Sequence, residues 1–101
     1  MNELSIEPKY FEELIKILED FCPDCLVLAY GSRINKKSHE GSDLDLAIKN
    51  FPAGKNLFEL KKLFSESNIP FLIDVNIYEN LPLSFQNEID KNCIKIYPSI
   101  V

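Results

Sequence analysis

Near the start of the chain, apolar residues return at every third or fourth position: Phe11, Leu14, Ile15, Leu18 and Phe21. That spacing lays one stripe along a helix, and Pro8 is well placed in its first turn, where a missing N–H costs nothing. The pattern predicts a helix over Pro8–Phe21, stopped by Pro23 and Asp24. Residues 25–30 form a continuous apolar run, short enough for a buried strand. Polar residues fill 32–42, and a second strand is predicted over Leu44–Lys49. The chain breaks again at Phe51-Pro-Ala-Gly54. Asn56 can then cap a helix, with Glu59 three positions on as in a capping box. Leu57, Phe58, Leu60, Leu63 and Phe64 are expected to form its buried face, and Asn68 and Pro70 its end. Residues 71–78 read as a third strand, 83–89 as a short helix and 93–97 as a last strand closed by Pro98.

This order of elements describes an α/β domain with a mixed sheet of about four strands flanked by helices. The sheet is mixed because the link between the first two strands is too short and polar for a helical crossover. No repeat, linker or low-complexity tract interrupts the chain, so residues 1–101 are expected to form a single domain.

Composition narrows the function. With 46% apolar and 27% charged residues, the chain reads as globular, and no apolar stretch approaches the roughly 18 residues of a membrane span. The first eight residues carry no basic region leading into an apolar one, so a cytoplasmic location is expected. A net charge of −5 argues against broad nucleic-acid binding, which draws on clustered Lys and Arg. Yet Arg33, Lys36, Lys37 and His39 gather in the loop after the first strand. Such a cluster suits a small polyanion, although an ordinary solvated loop accounts for it equally well. Tyr10, Tyr30, Tyr78 and Tyr97 read as packing residues with a wet hydroxyl. Cys22, Cys25 and Cys93 are an odd number, which favours reduced thiols over a disulfide framework. The Cys22-Pro-Asp-Cys25 pair follows a helix and leads into a strand, the wrong context for thioredoxin-like chemistry.

The chemistry lies where the first two strands meet the loop. Gly31-Ser32 ends the first apolar run, and Asp43-Leu44-Asp45 opens the next. In extended backbone, residues i and i+2 project to one side, which sets Asp43 and Asp45 about 7 Å apart on one face. Two carboxylates aimed together repel unless a cation sits between them. Mg²⁺ suits such a pair, since it takes one or two carboxylates and completes its shell with phosphates and water. Asp74, between Ile73 and Val75, adds a charge to an otherwise apolar strand. An exposed edge or a lysine partner would explain it. So would a shared site, in which two metal ions clamp a phosphoryl transfer.

Gly31-Ser32, Asp43-x-Asp45 and the isolated strand residue Asp74 resemble the minimal nucleotidyltransferases of the DNA polymerase β superfamily. The resemblance covers nearly the whole chain. It implies a polymerase β-like nucleotidyltransferase fold, two Mg²⁺ ions held by Asp43, Asp45 and Asp74, and ATP as substrate. It also implies that Gly31, Ser32, Arg33 and Ser42 bind the nucleotide, with Gly31 leaving room for the triphosphate. Asp74 would complete the metal that activates the acceptor hydroxyl and take its proton. In this family the small domain often pairs with a helical HEPN protein encoded beside it, as antitoxin and toxin, and some members attach AMP to the partner. The chain departs from the family after Gly-Ser-Arg, with Ile34, Asn35 and Lys36 where a small residue and often a glycine are usual. An alternative remains open at this point: a non-catalytic binding module that neutralises its partner by covering it. A third reading is a small-molecule nucleotidyltransferase, but such enzymes carry an acceptor domain for which this chain has no room.

Overall fold

A computed structural model describes residues 6–31 and 43–98. Its elements are α1 (Pro8–Phe21), β1 (Leu26–Tyr30), β2 (Leu44–Lys49), α2 (Leu57–Ser65), β3 (Ile73–Ile77), a 3-10 turn (Tyr78–Asn80), α3 (Leu83–Lys91) and β4 (Ile94–Tyr97). The four strands form one sheet in the order β3-β2-β1-β4. β1 pairs antiparallel with β2 and β4, while β2 and β3 run parallel, joined through α2. The expected mixed α/β sheet is present.

The alternation of side chains along each strand sorts the sheet into two faces. Val27 and Ala29 of β1, Leu44, Leu46 and Ile48 of β2, and Val75 of β3 are buried against Leu14 and Leu18 of α1 and Leu60 and Phe64 of α2. The intervening positions Leu28 and Ala47 face the other way and enclose Ile89 of α3 in a smaller cluster. Polar tethers add to this cluster. The Tyr78 hydroxyl is shared between the two Asp90 carboxylate oxygens at 2.8 and 2.9 Å. Gln86 Nε2 donates to the Tyr78 and Leu81 carbonyls at 3.1 and 2.9 Å. Two helices therefore cover one face, and α3 covers part of the other.

Two expectations for α2 need correction. Phe58 is 71% exposed and Leu63 42% exposed, so neither belongs to the buried face. A helix this short has room for one seam on the sheet, and Leu60 and Phe64, four apart, fill it. Phe58 and Leu63 are turned away by the roughly 100° that each residue adds. The helix also ends at Ser65, before Asn68. Its last carbonyls are held by backbone bonds, Glu66 N donating to Lys62 O and Ser67 N to Phe64 O, and the Ser65 and Ser67 hydroxyls add bonds to the same two carbonyls at 2.8 and 2.6 Å. Its start follows expectation, with Asn56 Oδ1 accepting from Phe58 N at 2.8 Å. The third strand is shorter than the predicted 71–78, because Tyr78 opens the 3-10 turn. Helix α3 runs past the predicted end at 89, to Lys91.

This division of α2 can be measured by urea denaturation. Leu60→Ala, which empties a fully buried site, should cost about 2–5 kcal/mol. Phe58→Ala should stay within roughly 0.5 kcal/mol of the parent.

The thiols are quiet. Cys22 and Cys25 are buried and Cys93 is partly buried, and all three are free. Burial pushes the Cys22 thiol up to about 12, and it also raises Cys25 and Cys93. Protonated thiols are poor nucleophiles and poor metal ligands. Among the described residues, no helix is long and apolar enough to cross a membrane.

Candidate active site

Strand register brings the acidic residues into one row. Tyr30 of β1 stands opposite Asp45 of β2, and Asp45 stands beside Asp74 of β3. Asp45 and Asp74 alternate with the buried Leu44, Leu46 and Val75, so both lie on the face that α3 only partly covers. Asp43 sits exposed just before β2, two residues from Asp45.

The carboxylates feel one another. The Asp45 carboxyl is pushed above the usual range, first by burial and then by the negative charges of Asp74 and Asp43. The Tyr30 phenol is raised chiefly by burial, with Asp45 and Asp74 adding to the shift and a hydrogen bond from Asn76 opposing it. Among the described residues, no group of three or more His, Cys, Asp or Glu stands as a ready-made metal cage. Asp43, Asp45 and Asp74 present carboxylate oxygens, the donor type that a hard cation such as Mg²⁺ takes.

A carboxyl whose folded pKa lies above its unfolded value favours the fold below the unfolded pKa. That contribution is lost as pH rises through the folded pKa. Asp45 is such a group, so at neutral pH its charge works against the metal-free fold. Asp45→Asn should therefore melt at a higher temperature than the parent at pH 7. The gap should close toward about pH 3, where aspartate is protonated in both states. Differential scanning calorimetry in chelator at both pH values reads this directly.

Gly31, the residue after β1, has φ +86°. A Cβ at that position would overlap Asp45 Oδ2 and lie 3.4 Å from its Cγ. Among the described residues, the neighbour that a side chain at Gly31 would meet is thus the Asp45 carboxylate. The antiparallel β1–β2 pairing creates this contact. Ser32, Arg33 and Ser42 lie outside the described residues, as do Ile34 to Lys37 and His39.

Two residues join the site that sequence reasoning did not assign to it. Asn76, two along β3 from Asp74, donates from Nδ2 to Asp74 Oδ2 at 3.2 Å. Tyr30, expected to be a packing residue with a wet hydroxyl, packs its ring edge-on against Phe85 of α3 at 5.7 Å and 89°. The Asp74-x-Asn76 spacing was a visible signal for the first. The second depends on strand pairing.

The chain is 37% identical over 75 residues to the "Probable protein adenylyltransferase MntA" of Haemophilus influenzae, covering 72% of this chain and 66% of that relative. Its fold superposes on a solved crystal structure of a toxin-antitoxin with AMP-PNP, with a TM-score of 0.72 and 20% identity, over 88% of this chain and 73% of that one. The profile of the family "Polymerase beta, Nucleotidyltransferase" matches residues 12–99. With nearly all of its length inside that match, the chain belongs to the polymerase beta nucleotidyltransferase family.

Proposed function

We propose that this protein transfers AMP from ATP to a hydroxyl of a partner protein, depends on Mg²⁺, and serves as antitoxin to a HEPN-type toxin. The observation that carries the chemistry is the row Asp45–Asp74 on paired strands, with Asp43 adding its charge to Asp45. The family supports nucleotidyl transfer. The relative named as a protein adenylyltransferase supports a protein acceptor, and the toxin-antitoxin neighbour supports the fold's use in such a pair.

In this reading Asp43, Asp45 and Asp74 hold two Mg²⁺ ions, which supply charge neutralisation for the triphosphate and the leaving pyrophosphate. Gly31, Ser32, Arg33 and Ser42 receive the nucleotide. The acceptor oxygen attacks the α-phosphorus in line, the bond to the β-phosphate oxygen breaks, and pyrophosphate departs. Asp74, the more exposed of the strand carboxylates, takes the proton from the acceptor hydroxyl. Positioning and charge supply the catalysis, and no covalent enzyme intermediate is needed. The test is to incubate the protein with Mg²⁺, α-labelled ATP and the product of the neighbouring gene. Label should pass to that partner and pyrophosphate should accumulate. An unlabelled partner under conditions where the two proteins bind would overturn the reading.

A further inference from the structure

We propose that Asn76 is a positioning residue that restrains the Asp74 carboxylate on the face it shares with Asp45, and that the metal affinity of the site depends on it. The inference rests on the carboxylates being metal ligands, as proposed above, and adds a residue that acts through one of them.

Asp74 needs such support. It is exposed and lies on an edge strand, beside the like charge of Asp45. Left alone, its side chain would rotate away from that charge. Asn76 prevents this, because its Nδ2 donates to Asp74 Oδ2 at 3.2 Å from the same face of β3. Asn76 thus engages one oxygen of Asp74 and leaves the other for a ligand. Residues that orient metal ligands in this way typically change affinity or activity by about 10–100-fold when removed.

The experiment is Mn²⁺ titration of the intact protein, with free ion followed by electron paramagnetic resonance and folding checked by circular dichroism. Asn76→Ala should weaken Mn²⁺ binding about tenfold or more. Parental affinity in the folded variant would overturn the inference. If the parent itself binds no Mn²⁺, the carboxylate reading fails and takes this one with it. If the parent binds and the variant matches it, only this inference fails.

Discussion

Asp45→Asn should reduce AMP transfer to the partner by on the order of 10²–10³-fold while leaving the protein folded. The substitution keeps the shape of the side chain and removes the charge at the centre of the row. Asp45 pairs with Tyr30 on one side and Asp74 on the other, so no other described residue can take over its position. Asp43→Asn and Asp74→Asn should show losses of similar order. The calorimetric expectation for Asp45→Asn makes the result diagnostic, since a variant that melts higher yet transfers nothing has lost chemistry rather than structure. Transfer that persists near the parental rate in all three variants would remove the proposed site. If the variants still protect against the toxin without labelling it, neutralisation by covering replaces catalysis.

Gly31→Ala should also be severe, for two separable reasons. Alanine at φ +86° is strained, by about 1–2 kcal/mol. Its Cβ would also displace the Asp45 carboxylate, whose Oδ2 occupies that space. A displaced catalytic group costs on the order of a hundredfold in rate for a shift of about 1 Å. Gly54 isolates the first effect, because it has φ +90° and nothing within 4 Å of where a Cβ would stand. Gly54→Ala should therefore lower stability by a similar amount in urea titration and leave AMP transfer intact. Equal transfer rates in the two variants would show that Gly31 does not shape the Asp45 side chain.

Much of the fold was legible because local pattern and packing agree. Helix α1 has the bounds that Pro8 and the Phe11–Phe21 stripe predict, and β2 matches its apolar run. The carboxylates were legible through spacing and the period of a strand. What escaped was everything that depends on which strands are neighbours. The contact between Gly31 and Asp45 requires the antiparallel β1–β2 register. Tyr30, Asp45 and Asp74 form one row only once β2 is sandwiched between β1 and β3. Phe58 and Leu63 misled for the opposite reason: α2 carries more apolar residues than its narrow contact with the sheet can cover, and composition alone does not say which stay outside.

β3 closes one side of the sheet and is bonded to β2 alone. The third aspartate is therefore on the outermost ribbon rather than at the bottom of a cleft. Among the described residues, no further strand screens that margin. For the transfer proposed above, that edge lets a bulky acceptor bring its hydroxyl in sideways, shoulder to shoulder with the enzyme, without threading a flexible tail into a tunnel.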